Sequence, residues 1–243
     1  MRQIALEIAY DGSGYSGWQM QDNAVTIQGV IEGKLSQIAQ ERLRLSVAGR
    51  TDARVHAVGQ IASFKTSLTL SEQTLQRALN ALLPRDIRIN RVFEVRDTFH
   101  PRYSAKGRWY RYLISNAVVP VPFLKNYALW VSRRLHTGLL NEYSERIIGS
   151  HDFTSFATLE GGEVAVRNVY HCTYTRWEDF VVLDIIANSF LRKMVRTIVG
   201  TFLKLEKEGA HPDRVGEILS GCSRSTAGMT SSPLGLYLMK VYY

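Results

Sequence analysis

The order of hydrophobic patterns predicts an α+β protein built from two halves, each running strand-helix-strand-strand-helix-strand. Three observations carry this. Runs alternating apolar and polar residues, the signature of half-buried strands, are interleaved with stripes at helical spacing. That succession occurs once before residue 99 and again after residue 105, with one helix added. Between the two, Phe99-His100-Pro101-Arg102-Tyr103-Ser104-Ala105 breaks the pattern, so a domain boundary is placed there, giving halves 1–105 and 106–243.

Taken in order, Gln3 to Tyr10 alternates Ile4, Leu6 and Ile8 against Ala5, Glu7 and Ala9 and reads as a strand. The following Asp11-Gly12-Ser13-Gly14-Tyr15-Ser16-Gly17-Trp18 contains G-x-G-x-x-G. A dinucleotide site needs a helix opening at those glycines, and here no helix pattern begins before Thr26. The stretch reads instead as a mobile loop offering Tyr15, Trp18 and Gln19 for contacts. Thr26 is an N-cap for a helix to about Gln40, with Ile27, Val30, Ile31, Leu35 and Ile38 as its buried stripe. Strands at Leu43–Ala48 and Val58–Phe64 flank a turn, Ser71 caps a second helix, and a strand from Ile87 to about Val95 ends the half. The second half gives a strand over 108–115, helix over 132–148, strands over 164–176 and 180–187 turned by Trp177-Glu178-Asp179, helices over 191–206 and after Pro212, and a closing strand over 234–242. This is the split βαβ, ferredoxin-like pattern twice. Each half is expected to form a four-stranded antiparallel sheet, the two joined into one mixed, mainly antiparallel sheet. The helices are expected on one face, leaving the other open as an RNA-binding cleft, in the manner of RRM domains.

The chain of 243 residues carries a formal net charge of +8, with a sequence pI of about 9.6. A basic balance favours a polyanionic partner such as nucleic acid. The excess is spread over both halves with no basic tail, so any binding surface is part of the fold. No apolar run approaches the roughly 20 residues that span a bilayer. The first residues enter a strand directly, which argues against a signal peptide. Two cysteines, Cys172 and Cys222, suit a reduced, cytoplasmic protein better than a disulfide framework. The six histidines are scattered without metal-ligand spacing, and neither a nucleophile elbow nor a P-loop is present.

Two stretches carry chemistry. Gly49-Arg50-Thr51-Asp52 lies in the turn between the paired strands, where a scaffold can present a charged side chain. Gly49 is expected to supply backbone freedom there. One expectation is that Asp52 acts on a nucleoside and Arg50 helps hold it; the other is that the same four residues make an ordinary turn, with the aspartate bonding its own backbone. Arg102 to Tyr112 holds four basic and four aromatic residues in eleven positions. On a strand, Arg108, Tyr110 and Tyr112 share one face, a cation beside rings on which a base can stack; aromatics also favour strands for packing alone. Arg192, Lys193 and Arg196 are placed on one helix, 192 and 196 one turn apart.

Laid end to end, these motifs resemble the tRNA pseudouridine synthase A (TruA) family. The resemblance rests on Tyr10-Asp11-Gly12, Gly17-Trp18-Gln19, Thr26-Ile27-Gln28-Gly29, Gly49-Arg50-Thr51-Asp52-Ala53, Val55-His56-Ala57, Gln60, Ala105 to Tyr112, His151-Asp152-Phe153, Asn188-Ser189-Phe190-Leu191, Met194-Val195-Arg196 and Gly235-Leu236-Tyr237-Leu238. It implies an isomerase converting uridine to pseudouridine at positions 38–40 of the tRNA anticodon stem-loop, with no cofactor and no metal, working as a homodimer. It implies Asp52 as the catalytic aspartate, Arg50 in base flipping, Arg196 as the arginine paired with the aspartate, Tyr110 stacking on the target base and Leu236 packing beside the site. Whether Asp52 acts as nucleophile or base stays open. A non-catalytic protein with two RRM-like halves is the alternative, and a nucleoside or glycoside hydrolase a further one. The chain departs from the family in having Arg54 where glycine is usual, in the pair Arg192-Lys193, and in Ser231-Ser232-Pro233.

Overall fold

The computed structural model describes residues 1–159, 161–162 and 164–243. The fold is α+β, with ten strands and five α-helices among the described residues, and its strand pairs are mainly antiparallel. Two compact units are formed, Met1–Lys106 with Tyr237–Tyr243, and Gly107–Leu236.

The first unit contains β1 (Arg2–Tyr10), α1 (Ile27–Ala39), β2 (Ser46–Val47), β3 (His56–Thr66), α2 (Glu72–Leu82), β4 (Ile87–Val95) and most of β10 (Leu236–Tyr242). Central β1 pairs antiparallel with β3 on one side and β4 on the other, while β2 pairs antiparallel with β3. The resulting order, β4-β1-β3-β2, is the expected split βαβ arrangement. Ile4, Leu6 and Ile8 are buried, as their alternation requires, and so is the intervening Ala5; of the expected α1 stripe Ile27, Ile31 and Leu35 are buried, while Val30 and Ile38 are only partly so. The helix starts fall where the sequence puts them. Thr26 Oγ1 accepts the Gly29 N–H and Ser71 Oγ the Thr74 N–H, each satisfying an amide that the first turn leaves open.

The strand expected over Leu43–Ala48 is only two residues long. It covers Ala62 and Ser63 of β3 and leaves the start of that strand's edge bare. There β10, expected in the second half, pairs in parallel, Tyr237 against His56 and Leu238 against Ala57. An uncovered edge is a row of unpaired amides and carbonyls, and β10 supplies their partners.

The second unit contains β5 (Gly107–Ser115), β6 (Leu129–Trp130), α3 (Thr137–Glu145), β7 (Gly149–Asp152), β8 (Val166–Trp177), β9 (Phe180–Ala187), α4 (Met194–Glu208) and α5 (Asp213–Ser220). Its strands run β5-β9-β8-β7, all antiparallel, with β6 parallel to β5. Two expectations are corrected here. The helix expected over 132–148 is confined to Thr137–Glu145, where His136 Nδ1 caps the Leu139 N–H, and the chain turns into strand β7 at Gly149. The helix expected from 191 begins at Met194, because Lys193 adopts a left-handed φ of 63° that no α-helix continues. Arg192 and Lys193 therefore lie in the turn before α4, and only Arg196 is on the helix.

Candidate active site

The Asp52 loop joins β2 to β3 and is braced from several directions. At its start the Ala48 N–H donates to the Ile61 carbonyl (2.9 Å), and Gln60 Nε2 donates to the Gly49 carbonyl (2.7 Å). The residue before Asp52 is held by a buried hydroxyl pair, Tyr10 Oη and Thr51 Oγ1, 2.7 Å apart. Burial pushes the Tyr10 phenol up to about 12, with the Thr51 and Gln60 side chains opposing the shift. After Asp52 the chain makes a tight turn, closed by the Val55 N–H on the Asp52 carbonyl (3.2 Å). The third residue of that turn is Arg54, at φ 65°. A type II turn has positive φ at this position and calls for glycine, so the departure at Arg54 is a strained one. Asp52 is partly exposed, and Arg50 and Arg54 are exposed.

The glycine loop after β1 forms the wall of this turn, not the open loop expected. Trp18 is fully buried and Tyr15 nearly so, its hydroxyl donating to Asp86 Oδ1 (2.8 Å); of the three residues expected to be available, only Gln19 is exposed. The Trp18 N–H donates to the Thr51 carbonyl and the Arg54 N–H to the Tyr15 carbonyl, each at 3.1 Å. These backbones approach so closely that a Cβ at Gly12 would lie 1.9 Å from the Val55 oxygen, and one at Gly17, itself at φ 91°, 2.8 Å from the Thr51 oxygen. Close approach, not phosphate binding, is what these two glycines serve. Gly49 needs no such freedom: its φ is not positive, and an added Cβ would meet no atom within 4 Å.

His56 ties the end of the loop to the same wall. Its Nδ1 accepts the Gly12 N–H (3.2 Å), and its ring stacks on Tyr237 at 4.7 Å and 19°. The same Nδ1 is 3.2 Å from Asp11 Oδ1, which also accepts the Ser13 N–H. Asp11 and the Gly12 amide thus both meet the His56 ring at the same nitrogen. Tyr10, Thr51, His56 and Gln60 thus brace the loop, and residue chemistry alone did not single them out; for Thr51, His56 and Gln60 the signal was their place beside Asp52, while Tyr10 comes from the end of β1.

In the second unit, β5 alternates as expected: Arg108, Tyr110 and Tyr112 are buried while Trp109 and Arg111 are partly exposed. On the latter face Arg111 forks onto both oxygens of Asp184 at 2.9 Å and lies over the Trp109 ring, whose Nε1 also donates to Asp184. On the buried face, Arg108 donates to the Asn188 carbonyl (2.7 Å), and Tyr110 meets the edge of Phe190 at 5.1 Å and 85°. Tyr112 is fully buried, donates to the Ser232 carbonyl (2.7 Å), and cannot be a stacking surface. Burial pushes its phenol well up, the nearby Arg196 charge acting against that. Arg196, in the first turn of α4, donates from Nε to the Ser231 carbonyl (2.9 Å), and its own carbonyl accepts the Ser231 N–H (3.0 Å). The segment continues through Gly235, where a Cβ would be 2.8 Å from the Tyr112 ring, to buried Leu236. In the second unit the segment from Ser231 to Gly235 thus packs against Tyr112 and Arg196, while Tyr110 packs against Phe190. The first unit holds Arg50 and Asp52 on one loop. Among the described residues no three His, Cys, Asp or Glu side chains come together as a metal ion would need.

A loop-borne carboxylate in an α+β scaffold with a buried aromatic strand defines a class only when joined to ancestry. A family profile described as tRNA pseudouridine synthase matches residues 7–104 and 144–243. The chain is also 39% identical over 244 residues to the tRNA pseudouridine synthase A of Thermoanaerobacter sp. (strain X514), covering 100% of both chains. It is 42% identical to that of Roseiflexus sp. (strain RS-1), covering 100% of this chain and 91% of the relative. With the tRNA pseudouridine synthase A of Colwellia psychrerythraea (strain 34H / ATCC BAA-681) it shares 38% identity over 99% of its length and 93% of the relative's. The chain belongs to the tRNA pseudouridine synthase A (TruA) family. Among its described residues no helix is long and apolar enough to cross a membrane.

Proposed function

We propose that this protein isomerises uridine to pseudouridine at positions 38–40 of the tRNA anticodon stem-loop, as a homodimer, with Asp52 as the group that acts on the ribose or base. The reading is supported most by one observation. The only residue of the β2–β3 turn with a carboxylate is braced on both sides, by the Tyr10–Thr51 pair before it and the Asp52–Val55 turn after it, in a chain with full-length relatives of that activity.

The reaction breaks the bond between ribose C1′ and N1, turns the uracil, and rejoins it through C5. A carboxylate can attack the sugar or remove a ribose proton, and either role needs it ionised and held in a fixed direction. A rigid loop supplies the direction. In this reading Arg196 is the arginine that pairs with the carboxylate, and Arg50 helps the uridine leave its stack. Tyr110, whose edge-on contact with Phe190 fixes its ring, carries the flipped base, with Arg108 beside it and Leu236 against it. The two halves, each read as ferredoxin-like with helices on one face, present the other face to RNA.

The test is incubation of the purified protein with an unmodified tRNA transcript, followed by mapping of pseudouridine. Pseudouridine confined to the anticodon stem-loop supports the reading. Release of free uracil makes the protein a hydrolase, and binding without any change in the RNA makes it a non-catalytic RNA-binding protein.

A further inference from the structure

Residues 99–105 serve the sequence reading only as a boundary, and no role proposed above uses them, yet they form one of the most firmly built loops of the first unit. His100 Nδ1 accepts the N–H groups of both Arg102 (3.1 Å) and Tyr103 (3.4 Å). The His100 N–H donates to Ser104 Oγ, and the Ser104 N–H returns to the His100 carbonyl. Outside the loop, Gln3 Nε2 donates to the Phe99 carbonyl (2.7 Å) and Tyr243 Oη to the Pro101 carbonyl (3.0 Å), while the rings of Phe99 and Tyr243 lie 4.9 Å apart. The first strand and the last residue thus pin the loop from two distant parts of the sequence.

What this anchorage holds out is an aromatic ring. Tyr103 is 76% exposed, so burying it contributes little to the fold. Its ring lies 4.4 Å from the His100 imidazole, which backs it, and the Arg102 guanidinium is 5.7 Å from its centre. Exposed Lys106 lies three residues further on. An ordered, exposed ring with a cation beside it and basic neighbours suits one class of partner: an unpaired base stacks on the ring while its phosphate meets the cations. The ordering cost is met before binding, because the loop is already fixed.

We propose that Tyr103, backed by His100 and flanked by Arg102, is an additional stacking contact for an unpaired nucleotide of the RNA substrate, separate from the residues that hold the target uridine. The proposal rests on the RNA-modifying reading above and names a contact that reading does not contain.

The experiment measures tRNA dissociation constants for the wild type, Tyr103→Phe, Tyr103→Ala and Arg102→Ala at several salt concentrations, with melting curves and pseudouridine formation alongside. Tyr103→Ala is expected to weaken binding about ten-fold, within the range that base–aromatic stacking spans, and Tyr103→Phe to bind like the wild type. Arg102→Ala is expected to reduce the slope of log K against log salt by about one. Melting temperatures should not move, since both side chains are exposed. Wild-type affinity in Tyr103→Ala, with the wild type forming pseudouridine, overturns the stacking contact and leaves the broader reading standing. Equal losses in Tyr103→Phe and Tyr103→Ala overturn it too, because the ring face would not be the contact. A wild type that neither binds nor modifies tRNA overturns both.

Discussion

Replacing Arg54 with glycine should stabilise the protein, although it removes a side chain from the loop proposed to carry the chemistry. Arg54 has φ 65° at the third position of the Asp52–Val55 turn. The left-handed region costs a residue with a Cβ about 1–2 kcal/mol. Glycine has no such cost but loses more freedom on folding, by roughly 0.5–1 kcal/mol. The difference favours Arg54→Gly by about 0.5–1 kcal/mol, which for a chain of this length is a rise of about 1–4 °C in melting temperature. Arg54→Ala separates geometry from charge: it keeps the Cβ and the strain while deleting the guanidinium. Thermal melts followed by circular dichroism should therefore show Arg54→Gly above the wild type and Arg54→Ala close to it. A fall with glycine would mean that the arginine side chain contributes more than its backbone costs. An equal rise with alanine would mean that charge, not φ, is the source of the effect.

The same geometry makes three further outcomes testable. Gly12→Ala places a methyl group 1.9 Å from the Val55 oxygen, so the Asp52 loop must shift; activity should fall at least ten-fold while the remaining fold survives, as judged by circular dichroism at about 20 °C, and wild-type activity would contradict the packing described. Burial raises Tyr10 and Cys172 to about 12 each, from 10.0 and 9.0, so both hold their protons in the folded protein after the unfolded chain has lost them. The stability they contribute is complete below pH 9 and is lost between about pH 9 and 12 for Cys172 and between about pH 10 and 12 for Tyr10, at roughly 1.4 kcal/mol per pH unit for each group; urea midpoints at pH 8 to 11 should be level and then fall, and a midpoint constant to pH 11 would refute this. A thiol reagent at pH 8 should modify one cysteine quickly in the native protein, exposed Cys222, and the second, buried Cys172, only on unfolding; two fast thiols would contradict the burial of β8.

Much of the architecture was legible because it depends on periodicity. The strand of Ile4, Leu6 and Ile8 and the caps Thr26 and Ser71 arise from side-chain chemistry acting over a few residues, and all three are found. The pairing of β10 with β3 was not legible, since it depends on how short β2 turns out to be, and Ser46 and Val47 carry no mark of where a strand stops. The start of α4 was missed for a similar reason: apolar spacing through Leu191 and Met194 suits a helix, and nothing local announces the left-handed Lys193. For the glycine loop the residues were conspicuous but their use was misread, because the atom that excludes a Cβ at Gly12 belongs to Val55, forty-three residues away. The strain at Arg54, by contrast, was readable in advance from a glycine expected at that place in the family motif and absent here.

The central claim is that the Asp52 carboxylate performs the chemistry while the rest of the protein binds RNA around it. Asp52→Asn keeps the shape of the side chain and removes its charge, so it tests that division directly. Assayed on unmodified tRNA, the variant should bind with wild-type affinity and form no pseudouridine at any enzyme concentration. Pseudouridine formed at the wild-type rate by Asp52→Asn would contradict the account.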